Sequence, residues 1–412
     1  MNKQHLIPHL FRNEFSKIVT VLCKKFGLAN IQLAEDIVAE TFLIATETWG
    51  LKGIPPNPTA WLYAVAQNKT KDILKRNQVF KHKITPDLKD QPITSATFQL
   101  DLSEQNILDG QIQMLFALCN PAISTTSQIA LALKILCGFG VHEIANAFLT
   151  NKATINKRLH RGKQKLRQQN IDLSFPLPHE IENRLPNILS ILYLLFNEGY
   201  YSKTAQKTLQ KDICLEAMQL LYNLLKYPPT NQPQTNALMA LFCFQASRFD
   251  ARTNHLNEPI LYAHQDQNIW DKELIAKGNY YLNLSAQKNM VTKYHLEAAI
   301  AYWHTNVTTP AKEKWEAILQ LYNQLLQIAY SPIAALNRTY ALSQTNSCSE
   351  AIQEALKIDL KDNHLYYALL AELYKDLDPQ KQLEYLQLTL AFAKTENDRK
   401  VLLKKIKAVR VD

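Results

Sequence analysis

The chain has 412 residues, enough for two to four domains of ordinary size. Hydrophobic residues make up 47% and charged residues 20%, which excludes a mainly disordered chain and lets each domain bury a core. Glycine is scarce at 9 residues, about 2% against a usual ~7%. Folds that need many glycine turns or glycine loops are disfavoured, and an all-α fold is expected.

The net charge of +9 lies entirely in residues 1–170, which hold 21 Lys+Arg against 12 Asp+Glu; residues 171–412 hold 25 of each. A basic part joined to a neutral part points to a polyanion-binding module followed by a module of another kind. Cys23, Cys119, Cys137, Cys214, Cys243 and Cys348 form no CxxC pair, so buried free thiols in a reducing compartment are expected. The first residues lack the apolar core of a signal peptide. The longest apolar run, Ile191–Phe196, extended by Ile188 and Leu189 across Ser190, is too short to span a bilayer. A cytoplasmic protein with no membrane partner is expected.

In chain order, residues 10–77 read as three helices. The first runs from about Leu10 to Phe26 and stops at Gly27; the second from about Ile31 to Trp49, stopping at Gly50. The third follows the breaker Pro55-Pro56-Asn57-Pro58, with Thr59 as N-cap, and reaches about Arg76. Its core stripe is Leu62, Val65, Ala66 and Ile73. Trp61 and Tyr63 near its start, with Lys69, Lys71, Lys75 and Arg76 towards its end, suit stacking on unpaired bases and neutralising phosphates. The expected divisions are 1–80, a polar linker over 81–105, a second helical block over 106–172, and a C-terminal helical domain over 173–412.

Within the second block, Ser127–Cys137 reads as an apolar helix stopped by Gly138, Val141–Phe148 as a short helix, and Lys152–Arg167 as a long one. The last is two-sided: Ile155, Leu159, Gly162 and Leu166 form one stripe, and Thr154, Lys157, Arg158, Arg161 and Lys165 the opposite face. Between 152 and 167 there are seven basic residues and no acidic one. A solvated helix face normally mixes signs, so a single-sign face makes sense where phosphates neutralise it. In a helix-turn-helix the second helix enters the major groove by its N-terminal residues. Lys152, Thr154, Asn156 and Lys157 are then the base-edge candidates, and Arg158, Arg161 and Lys163 the phosphate-holding ones.

No catalytic constellation is apparent, and neither metal, cofactor nor enzymatic activity is expected. His142-Glu143 is followed at 146 by Asn146 rather than a second histidine, and no GxGxxG or GxxxxGK[ST] occurs. Gly199 is expected to end a buried helix, with Glu198 paired inside the fold. In the C-terminal part Leu336 and Tyr340 recur 34 residues later as Leu370 and Tyr374, the period of tetratricopeptide helix pairs. An irregular helical domain is the other reading.

Ala34-Glu35-Asp36-Ile37-Val38-Ala39-Glu40-Thr41-Phe42 resembles region 2.2 of extracytoplasmic-function sigma factors. Ala60-Trp61-Leu62-Tyr63-Ala64-Val65-Ala66-Gln67-Asn68 resembles their region 2.3–2.4, and residues 109–168 their region 4. Arg184-Leu185-Pro186-Asn187 and Phe196-Asn197-Glu198-Gly199-Tyr200 resemble the extension of a subgroup with a C-terminal tetratricopeptide-like domain. The resemblance implies a non-enzymatic initiation subunit whose partners are core RNA polymerase, through its β′ clamp helices and β flap, and promoter DNA. Asp36, Glu40 and Thr41 would meet polymerase. Trp61, Asn68, Lys69, Lys71, Lys75 and Arg76 would serve the −10 element, and Lys152–Arg167 the −35 element. The C-terminal domain would be regulatory, with a possible partner of its own. Ala39 departs from the family, where glutamine is common. The other readings are a free-standing helix-turn-helix regulator with a helical-repeat interaction domain, and an enzyme in residues 171–412 tethered to a DNA-binding module.

Overall fold

The computed structural model describes residues 3–84, 103–148, 150–169, 171, 173–201, 207–252, 254, 260, 262–287, 290–361, 363–393 and 396–409. Among them the fold is all-α: eighteen α-helices and no strand. The chain divides into two compact units, Met1–Thr230 and Asn231–Asp412. This moves the expected boundary: the two N-terminal blocks and the first 58 residues of the expected C-terminal domain form one unit.

The first unit opens with α1 (Lys3–Phe26), α2 (Ile31–Lys52) and α3 (Pro58–Ile84). The first helix starts earlier than expected, at Lys3, and carries Pro8 inside it. The second passes through Gly50, which adopts ordinary helical geometry, and stops at Gly53, whose φ of 85° only glycine adopts without strain. The N-cap of α3 is Asn57 rather than Thr59: its side-chain oxygen accepts from the backbone N–H of Ala60 at 3.0 Å. Phe15, Ile18, Leu22, Ile37, Val38, Phe42, Leu62 and Ala66 make the shared core, while Val65 and Ile73 stay half-buried at its rim. Most of the expected linker, 85–102, lies outside the described residues.

The second block comprises α4 (Glu104–Leu118), α5 (Thr125–Leu131) continued by a π-helical turn over Ala132–Leu136, α6 (Val141–Ala147) and α7 (Lys152–Gln168). It packs on the first block through α1 and α4, where Lys24 Nζ donates to Asn106 Oδ1 at 2.5 Å. Helices α8 (Pro178–Tyr201) and α9 (Lys207–Lys226) complete the unit. Arg184 donates to the carbonyl oxygen of Phe116, and Asn187 Nδ2 to that of Cys119 at 2.6 Å. The resembling Arg184-Leu185-Pro186-Asn187 segment thus supplies donors that the end of α4 cannot find within its own helix. Contrary to expectation, α8 continues past Gly199 to Tyr201. Glu198 has no partner among the described residues, and burial raises its pKa.

The second unit begins with α10 (Pro233–Ala246), apolar around its whole circumference and buried from Thr235 to Phe244. Against it pack α11 (Lys272–Ser285) and α12 (Lys293–Thr305). Then come α13 (Ala311–Ile328), α14 (Pro332–Thr345), α15 (Cys348–Ala355), α16 (His364–Leu373), α17 (Pro379–Ala391) and α18 (Glu396–Val409), each packed on its sequence neighbour. Pro332 and Pro379 open their helices at the first turn, and Pro310 caps α13. Leu336 and Leu370 are both buried in one core, in α14 and α16. All six cysteines are free, five of them buried.

Candidate nucleic-acid interface

Helix α7 is built as its sequence requires. The Asn151 side chain accepts from Thr154 N at 2.8 Å and caps it. Ile155, Leu159, Gly162 and Leu166 are its buried stripe. Gly162 allows a close approach, since a Cβ there would lie 2.6 Å from Leu131 Cδ1 on α5. That contact fixes how far α7 rotates on its support.

The rotation sorts the candidate residues into two sets. Lys157 and Arg161 are exposed and Thr154 and Arg158 half-buried; with exposed Lys165 they share one arc, at 100° per residue. Lys152 is exposed at the N-terminal end. Among the described residues none of these five basic side chains has a carboxylate partner. Asn156 and Lys163, by contrast, turn towards α2. There they line a cavity of about 610 Å³ together with Gln32, Glu35, Asp36 and His160.

Lys163 is tied down: its Nζ pairs with the Glu35 carboxylate and donates to Gln32 Oε1 at 2.6 Å. Glu35 is only 5% exposed. The amine of Lys134, 5.6 Å from the Phe15 ring centroid, belongs to the same cluster. Burial lowers its pKa, opposed by the charge of Glu35 and assisted by that of Lys163. Glu35 therefore ties Lys163 of the second block to the first, and its charge also acts on Lys134. Its partnership was signalled in the sequence, because it falls on the apolar stripe Ile31, Val38, Phe42, Ala45 and a carboxylate there needs a partner.

The first block sorts its candidates similarly. Asp36 and Glu40 are exposed on α2, Glu40 pairing with Lys69 of α3 at 2.9 Å. Thr41 is 0% exposed and donates to the carbonyl of Ile37 at 2.8 Å, so it presents nothing to a partner. Trp61 is half-buried, edge-on to Trp49 with centroids 5.3 Å apart. Tyr63 is no stacking platform: it is buried and its hydroxyl donates to Glu14 Oε2 at 3.0 Å. Burial and the Glu14 charge push its pKa up. Asn68 is exposed and Lys71 half-buried; the side chains of Lys75 and Arg76 lie outside the described residues. Glu143, beside His142, accepts from Gly140 N at 2.7 Å and so serves the turn before α6. No cluster of three potential metal ligands occurs among the described residues. No described helix is long and apolar enough to cross a membrane.

Residues 184–286, from α8 to α11, match a family described as one of unknown function, DUF6596. No solved structure matches the chain. An uncharacterised protein of Rhizobium meliloti (strain 1021), R00370, is 31% identical over 354 residues, covering 84% of this chain and 83% of its own. At that identity and coverage, the chain belongs to the same family as the Rhizobium protein.

Proposed function

We propose that the chain is an alternative sigma factor, a subunit that binds core RNA polymerase and directs it to promoters. The observation that carries this reading is the unpaired basic arc of α7, where Lys157, Arg158, Arg161 and Lys165 share a face with Thr154. Like charges so close repel one another unless an array of phosphates faces them. The acidic, exposed part of α2 around Asp36 and Glu40 is the surface for polymerase, and the first half of α3, with Trp61, Asn68, Lys69 and Lys71, that for the opened strand. The second unit is the regulatory part.

The reading requires a rearrangement. Promoter elements centred near −10 and −35 lie roughly 25 base pairs, ~85 Å, apart at about 3.4 Å per base pair. Two blocks held together by Glu35 and Lys163 cannot occupy both, whereas a linker of about 25 residues can extend ~80 Å. Engagement therefore separates α7 from α2.

Gel filtration with purified core polymerase, followed by run-off transcription on genomic templates, tests this. The full chain, or a Glu35→Met/Lys163→Met double variant without the ionic tie, is expected to bind core and start transcripts at discrete sites. Failure of both to bind core would overturn the proposal. DNA binding without core binding would favour the free-standing regulator.

A further inference from the structure

The second unit contains two cations with no counter-charge. Lys314, in the first turn of α13, is 8% exposed. Its Nζ donates to the Tyr262 hydroxyl at 2.6 Å and to the Asn306 carbonyl at 3.2 Å, which leaves one N–H over. Arg248, just after α10, stands over two rings, its Cζ 5.4 Å from the Tyr262 centroid and 5.9 Å from that of Trp270. Its guanidinium has no acceptor among the described residues, and its Nε is completely buried. No described carboxylate pairs with either cation. The same unit satisfies another arginine fully: Arg338 donates to Asn323 Oδ1 at 2.6 Å and pairs with Glu354 at 3.3 Å.

Three further groups converge on the pair. Tyr262 and Trp270 stack with centroids 6.4 Å apart, and Trp270, 5% exposed, has a buried indole N–H without an acceptor. The Tyr262 hydroxyl donates to the His304 carbonyl at 2.7 Å, which fixes the ring. The His304 ring lies edge-on to Tyr262 at 4.9 Å, its Nδ1 buried and unpaired. Burial, with Arg248 and Lys314, pushes the His304 pKa down to about 3, so the ring is neutral and can present Nδ1 as a donor. Burial and the charge of Arg248 bring Lys314 down to about 8. Buried unsatisfied donors beside one buried and one half-buried unmatched positive charge are a costly arrangement, and their common complement is an oxyanion.

We propose that Arg248, Lys314 and Trp270 form a binding site for the phosphoryl group of a small ligand, walled by Tyr262 and His304. A dianionic phosphoryl matches the two positive charges, and the planar fork of Arg248 can hold two of its oxygens. The site lies in the proposed regulatory unit and is independent of the reading of α7.

The test is titration of the full chain with inorganic phosphate, and separately with malonate, at constant ionic strength. Binding is followed by calorimetry, tryptophan fluorescence and melting temperature. Saturable phosphate binding is expected, weakened at least tenfold in Arg248→Gln and in Lys314→Met. Without phosphate, Arg248→Gln is expected to melt no lower than the parent, since it removes an unmatched charge. If Lys314→Met fails to fold, Arg248→Gln alone decides. Absence of saturable binding, an identical response in parent and Arg248→Gln, or tighter binding of malonate than of phosphate would each overturn the proposal.

Discussion

Two concentrations of positive charge in this molecule obey opposite rules. On α7, the Lys157, Arg158, Arg161 and Lys165 side chains crowd one arc at the surface, where water and salt screen them. Around Tyr262 only two cations meet, yet Lys314 is withdrawn from water and Arg248 is half-buried with its Nε fully covered. Many exposed like charges can therefore wait for a long polyanion, whereas a buried cation beside a half-buried one already calls for a compact partner. Lys163 is a third case: it starts on the basic helix and is neutralised within the protein by Glu35.

The comparison breaks most visibly at Glu35. Glu35→Ala leaves Lys163 without its carboxylate, and truncating one partner of a buried pair costs about 3–5 kcal/mol. Urea unfolding should register that loss, and the Glu35→Met/Lys163→Met double variant should recover most of it. An unchanged midpoint in Glu35→Ala would mean that the tie does not hold the blocks together. The exposed arc should respond differently. Lys157→Ala and Arg158→Ala should leave stability within about 0.5 kcal/mol and each lower the slope of log K for duplex binding against log salt by about 0.9. Equal slopes in parent and variants would remove α7 as the duplex reader.

A further effect is the dependence of stability on pH at Lys314. Its folded pKa of about 8 lies below the usual lysine value of 10.5, so the unfolded chain holds the extra proton between them. Stability should therefore rise with pH from about 8 towards 10, as the buried amine sheds its charge. Lys314→Met should lack that rise, and a parent unfolding free energy flat across the window would contradict the burial of a charged amine.

Much of α7 was legible beforehand, because its stripe and basic arc both follow from one period of 3.6 residues. Helix ends were less so. Gly50 reads as a stop and Gly53 does not, yet only the backbone at Gly53 takes the left-handed turn. Thr41 and Tyr63 stand in motifs that resemble surface contacts, but tertiary packing turns both inward. The Arg248 cluster left no local trace. Its members come from just after α10, two short turns, the last turn of α12 and the start of α13, and no spacing between residues 248 and 314 announces that they meet.

The bonds from Arg184 and Asn187 to the end of α4 bear on how the protein should be dissected. A shortened version ending near residue 172 would strip the Phe116 and Cys119 carbonyls of their donors and uncover the apolar side of that helix. A cut after Thr230 keeps those donors, so a deletion meant to isolate the first unit belongs there.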